Sequence, residues 1–340
     1  MDNNIFSIIC TAYNGQKYIE KCIGSVLSQT FENWELIIVD DGSTDNTLNI
    51  CKKYKSSKVR VFTKSNSGQY DSRIFGIKHS RGQYVVFLDS DDLLVPNALE
   101  CIYNIIKTED VDVISYNFRT FSDSNMPLRK DSLIDKKQLL IDNSSILKMF
   151  FYKYYLFSLC VSCVKHSVIN DAINDEHICP KGKFGEDTLF VFQIMKHAKS
   201  ALLIQNILYL YRMHSDSISH TKNAELSCHR IFNLNYIYEE LDELKIPPHE
   251  FENNLNSKLS WPVFTYIYSS AIAYKFKLFR KKCLNIKKMF IIKKYFRSSS
   301  LSGRFCKIIS VAFKLKLYYF CYLLVKCHEK RTGYYEKNNS

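Results

Sequence analysis

Three carboxylates within four residues, Asp89, Asp91 and Asp92, close the apolar run 85–88. Oxygen ligands of this kind suit hard divalent cations. Mg2+ and Mn2+ are commonly held by one or two carboxylates, with substrate phosphates and water completing the shell. Uncompensated acids at the mouth of a buried strand repel one another, and a cation both relieves that repulsion and recruits a diphosphate. The plainer alternative is an acidic turn in which Asp92 caps the following helix.

The elements around these acids alternate in period through the first 120 residues. Short apolar runs predict strands at 6–11, 34–40, 59–63, 84–89 and 111–116. Helical spacing predicts helices over 18–29, 43–54, 68–80 and 96–107, with Ser43 or Thr44 as the cap of the second. Such alternation means an α/β fold, a mainly parallel sheet flanked by helices. Ligands of such sheets gather beyond the carboxyl ends of the strands. Three predicted strand ends deliver polar groups to that edge: Thr11, Tyr13 and Asn14; Asp40, Asp41 and Ser43; Asp89, Ser90, Asp91 and Asp92. The phosphate-loop and dinucleotide glycine patterns are absent. Residues 121–210 are less regular, 185–198 read as helix and 201–214 as strand-rich. From Ala224 onward the pattern is helical.

The stretches "SIICTAYNGQKYIEKCIGSVLSQTFENWELIIVDDGSTDNT", "SGQYDSRIFGIKHSRGQYVVFLDSDDLLVP", "GEDTLF" and "YRMHSDSIS" carry a resemblance. They are similar to the family 2 glycosyltransferases with the GT-A, Rossmann-like fold, in the branch that builds bacterial surface polysaccharides. The resemblance implies a nucleotide-sugar domain over 1–220 and a basic helical region over 221–340. It assigns the nucleotide to Thr11, Tyr13 and Asp41, with Ala12, Asn14 and Asp40 beside them and Gly68 and Arg73 approaching. It makes Asp91 the principal ligand of Mn2+ or Mg2+, with Asp89 and Ser90 next to metal and ribose. His214 becomes a further ligand, Arg212 a charge for the departing diphosphate and Asp187 the general base. Structural readings stand beside these: Gly68 as a turn, Arg212 as a salt-bridged residue, His214 as a structural histidine, Glu186 and Asp187 as partners of a helix N-terminus. The implied reaction is inverting transfer from a nucleotide sugar, a UDP-sugar first, to a saccharide acceptor, free or lipid-linked. Capsule, O-antigen or exopolysaccharide synthesis would be its setting. Transfer to a polyprenyl phosphate, or a non-catalytic sugar-nucleotide or membrane-binding scaffold, are the alternatives.

Composition sets the surroundings. Twelve cysteines are scattered, many in apolar runs, and "MDNNIF" lacks the basic segment of a signal peptide, so reduced core thiols are expected. The single CxxC, Cys160 and Cys163, has no second pair at zinc spacing. The net charge of +13 is confined to one end: residues 271–340 hold 18 Lys or Arg and two Glu. There the basic residues interleave with aromatic and aliphatic ones, and the longest uncharged run in the final stretch is nine residues, 317–325. A spanning helix needs about 20 apolar residues. The expectation is a cytoplasmic protein lying on the inner face of the plasma membrane through this region, rather than a nucleic-acid binder.

Overall fold

The computed structural model describes residues 5–122, 138–152, 158–175, 186–214, 224–244, 263–272, 274–289 and 304–332. By compactness the chain divides into two units, Met1–Cys179 with Phe190–Ser215, and Pro180–Leu189 with Asp216–Ser340.

The first unit is built on a mixed sheet. Four parallel strands form its first half: β1 (Phe6–Ala12), β2 (Trp34–Asp40), β3 (Val59–Thr63) and β4 (Tyr84–Asp89), in the order β3-β2-β1-β4. Every residue of β1 and β2 is buried, as expected of parallel strands covered on both faces. Helices α1 (Ile19–Leu27), α2 (Thr47–Lys53) and α3 (Gln69–His79) are the crossovers, and α4 (Ala98–Ile106) follows β4. Gly76 lets α3 lie close on the sheet, since a Cβ there would come within 2.6 Å of Ile9 Cγ2.

One expectation needs correction. Helix α2 is not capped by Ser43 or Thr44: it starts at Thr47, and the Asp45 carboxylate accepts the Thr47 amide at 2.9 Å. Beyond its parallel half the sheet becomes mixed. A short strand β8 (Ser162–Lys165) enters antiparallel between β4 and β6 (Val113–Phe121). Then β9 (Ala201–Arg212) runs parallel to β6 and antiparallel to β5 (Leu93–Leu94) and β7 (Gln138–Leu140). Helices α5 (Asn143–Tyr152), α6 (His166–Asn174) and α7 (Glu186–His197) complete this part of the chain order. The CxxC pair straddles the entry to β8, with Cys163 fully buried and Cys160 half-buried.

The second unit is helical: α8 (Ala224–Glu243), a helical stretch over 263–272, α9 (Phe276–Lys287), α10 (Arg304–Lys314) and α11 (Tyr318–Thr332). Its last three helices share an apolar core that includes Phe279, Cys283, Ile309, Phe313, Cys321 and Val325. Among the described residues no helix is long and apolar enough to cross a membrane.

Candidate active site

Sheet register decides which strand ends meet. Thr11 pairs with Val39 on one side and with Asp89 on the other, and Ala12 pairs with Asp40. The three predicted polar ends therefore share one edge.

The loops after β1 and β2 are laced together. Asn14, at φ 50, donates its amide to Ser43 Oγ at 2.9 Å, while its own Oδ1 accepts the Thr44 amide at 2.8 Å. One residue on, the Gly15 amide reaches Thr47 Oγ1 at 2.8 Å. Tyr13 projects from this lacing and is half exposed. Ala12 is buried, and its carbonyl accepts the Asp41 amide at 2.8 Å. Asp41 organises the next loop: it accepts the amides of Ser67 at 3.0 Å and Gly68 at 2.8 Å, and it pairs with Lys64. Burial pushes its carboxyl up, but Lys64 and the two amides outweigh burial and hold it below the ordinary carboxylate range. Gly68 sits at φ 102 at the head of α3, a backbone conformation that favours glycine. Asp40 is buried, with Oδ2 accepting Thr63 Oγ1 at 2.9 Å. Thr11 Oγ1 and Asp40 Oδ1 are buried without a hydrogen-bond partner among the described residues.

The acidic turn after β4 is not uniformly uncompensated. Asp89 is paired: its Oδ1 accepts Arg73 Nη2 at 2.8 Å and Gln69 Nε2 at 2.7 Å, and its Oδ2 accepts the Cys160 thiol at 3.3 Å. Arg73 is 1% exposed, so its charge is held inside against that carboxylate. Asp92 turns inward and does not cap α4, whose cap position is Asn97. Its carboxylate accepts the Tyr209 hydroxyl at 2.6 Å and the Arg212 amide at 2.7 Å. Burial, Asp91 and Asp89 together push the Asp92 carboxyl up to about 8. Ser90 lies against Gly15 and is half-buried.

Asp91 is the acid that faces outward, with 34% of its side chain exposed. Its Oδ2 pairs with His214 Nε2 at 2.8 Å. Burial and the Asp89 charge push its carboxyl above the ordinary range, against the pull of His214. Arg212 lies just behind. Its guanidinium sits 4.8 Å from the Tyr18 ring centre and 4.5 Å from that of Phe121, and Nε donates to the Asp91 carbonyl at 2.7 Å. His214 also lies against Tyr18, with ring centres 5.0 Å apart, and its Nδ1 is buried without a partner among the described residues.

These donors fit a divalent cation. Asp91 offers a carboxylate whose charge is opposed by Asp89, and His214 offers an imidazole beside it. Among the described residues no group of three His, Cys, Asp or Glu could enclose a metal. A cation here must draw further ligands from a diphosphate and water, which is the habit of Mg2+ and Mn2+. Asp187 lies in the first turn of α7, half-buried, and Glu186 before it is buried.

Tyr209, Gln69 and Cys160 also belong to this constellation, although the sequence assigns none of them to it. The Tyr209 hydroxyl accepts the Asp89 amide at 3.3 Å while donating to Asp92, so one phenol on β9 links both ends of the acidic turn. Tyr209→Phe leaves buried polar atoms short of a partner, which costs about 1–3 kcal/mol. Urea unfolding should show a loss of that size, and a change below about 0.5 kcal/mol would reject the link.

Residues 7–171 match the family model described as "Glycosyl transferase family 2". Over those residues, just under half of the chain, it is similar to the family 2 glycosyltransferases. Glycosyltransferase GlyG of Streptococcus pneumoniae is 28% identical over 229 residues, 65% of this chain and 74% of that protein. Poly(ribitol-phosphate) beta-N-acetylglucosaminyltransferase TarP of Staphylococcus aureus is 35% identical over 208 residues, 57% of this chain and 58% of that one. The chain spans less than two thirds of several such relatives. The crystal structure of S. aureus TarS 1-349 in complex with UDP-GlcNAc has a TM-score of 0.64 at 19% identity, covering 96% of this chain and 91% of that one. That likeness establishes the GT-A fold.

Proposed function

We propose that this chain transfers a sugar from a UDP-sugar to a saccharide acceptor, with inversion and with the help of Mn2+ or Mg2+. The observation that carries the reading is the outward-facing Asp91–His214 pair, set on the sheet edge where Thr11, Asp40 and Asp89 also converge. Thr11, Ala12, Tyr13, Asn14, Asp40 and Asp41 receive the nucleoside, supported by the two buried oxygens, Thr11 Oγ1 and Asp40 Oδ1, that have no hydrogen-bond partner among the described residues. Gly68 and Arg73 shape that pocket from α3: Gly68 fixes Asp41 and Arg73 fixes Asp89. Asp89 and Ser90 face the ribose and the diphosphate.

Asp91 and His214 would hold the cation, which when bound neutralises charge developing on the diphosphate leaving group. Arg212 adds a fixed positive charge behind Asp91, stacked between two rings that hold it still. Asp187 takes the proton of the acceptor hydroxyl as its oxygen bonds to the anomeric carbon. The bond from that carbon to the diphosphate breaks in the same displacement, and the nucleoside diphosphate leaves. One displacement inverts the centre, so no carboxylate nucleophile is required. The name of TarP, a poly(ribitol-phosphate) N-acetylglucosaminyltransferase, supports a polymer as the class of acceptor.

A panel of UDP-sugars incubated with the protein and Mn2+ tests this directly. The expected result is release of UDP from at least one donor, abolished by EDTA and restored by Mn2+. No release and no calorimetric binding across the panel would reject the reading.

A further inference from the structure

The second unit holds a surface to which the proposed transfer chemistry assigns no residue. Residues 274–289 and 304–328 contain twelve Lys or Arg and no Asp or Glu. Their apolar residues do not all go inside. Helix α10 buries Ile309, Ala312 and Phe313, and α11 buries Tyr318, Cys321 and Val325. Yet Ile308 and Val311 on α10 and Leu315 just past its end, spaced for one helical face, are 49%, 43% and 64% exposed. Leu317, Phe320 and Leu323 extend exposed apolar surface past the corner into α11.

The corner itself is a defined stop. The Leu317 amide donates to the Ala312 carbonyl at 2.8 Å and the Lys316 amide to the Phe313 carbonyl at 3.1 Å. These are the paired bonds of a Schellman motif, whose reversing residue is usually glycine because it lies in the left-handed region. Here it is Lys316, at φ 63. A side chain is strained there, so the chain keeps an ammonium between two exposed leucines at a cost in stability. Strain of this kind motivates a functional reading.

We propose that the α10–α11 corner docks on an anionic lipid membrane. Exposed leucines and Phe320 suit the acyl boundary, Lys307, Lys314 and Lys316 are exposed beside them, and no acid in these segments opposes negative headgroups. A soluble polyanion would satisfy the lysines and leave the apolar ridge in water. A second copy of the same face would bring like charges together.

Vesicle flotation of the full chain tests this, comparing neutral phosphatidylcholine with vesicles containing phosphatidylglycerol, at low and high salt. Retention should require the anionic lipid and weaken with salt. Lys316→Gly relieves the backbone strain, so its unfolding temperature should hold or rise while retention falls about fivefold, the loss of one surface lysine. Leu315→Glu, at an exposed position, should weaken retention more than tenfold with an unchanged circular dichroism spectrum. Equal retention on neutral vesicles, or none on anionic ones, would overturn the proposal. So would retention that neither variant changes, full displacement by soluble polyphosphate, or a concentration-dependent dimer that Leu315→Glu dissociates. Release of UDP in solution should be the same for both variants, so this surface and the transfer site fail or stand separately.

Discussion

Asp91→Ala should lower sugar transfer by about three orders of magnitude and remove its response to Mn2+. A cation on the leaving group supplies several kcal/mol of transition-state stabilisation, and each 1.36 kcal/mol is tenfold in rate. The variant should fold. Asp91 is partly exposed and opposed by Asp89, whereas the bonds that hold the turn belong to Asp92 and Asp89. Thermal unfolding within a few degrees of the parent chain would therefore accompany the loss. Calorimetry of UDP with and without Mn2+ checks the cause. If the variant still binds UDP more tightly with the metal, Asp91 is not its ligand.

Asp187→Asn should reduce kcat by about 10²–10⁴, the usual contribution of a positioned base, and leave the donor KM within about twofold. Asparagine keeps size and polarity at the start of α7 but cannot accept the proton. Acceptor-independent donor hydrolysis is the internal control, because water needs the cation more than it needs this base. Transfer at the parental rate with normal donor binding would return Asp187 to the structural reading, a charge at a helix N-terminus.

Much of the parallel half of the sheet was legible because its strands are short apolar runs between helical periods. Strands β1 to β4 lie where periodicity puts them, and their polar ends fall on one edge. The acids could be found, but not sorted. Nothing in "DSDD" says that Asp89 meets Arg73 and Gln69, or that Asp92 turns inward to Tyr209; the last contact spans 117 residues. Antiparallel β8 was missed because four residues in an irregular stretch carry too little period to register. Arg212 was identified as a cation of interest, yet its place between Tyr18 and Phe121 depends on three separate elements meeting.

The lacing of Asn14 and Gly15 to Ser43, Thr44 and Thr47 has a thermodynamic consequence. Peptide that is already fixed loses little freedom when a nucleotide arrives, so the entropic penalty of shaping this pocket falls on folding and not on association. If these loops receive the donor as proposed, affinity depends on what the pocket contacts rather than on persuading a floppy loop to close, and a substitution at Ser43 or Thr47 that cuts one of those ties would loosen binding without removing a group proposed to touch the ligand.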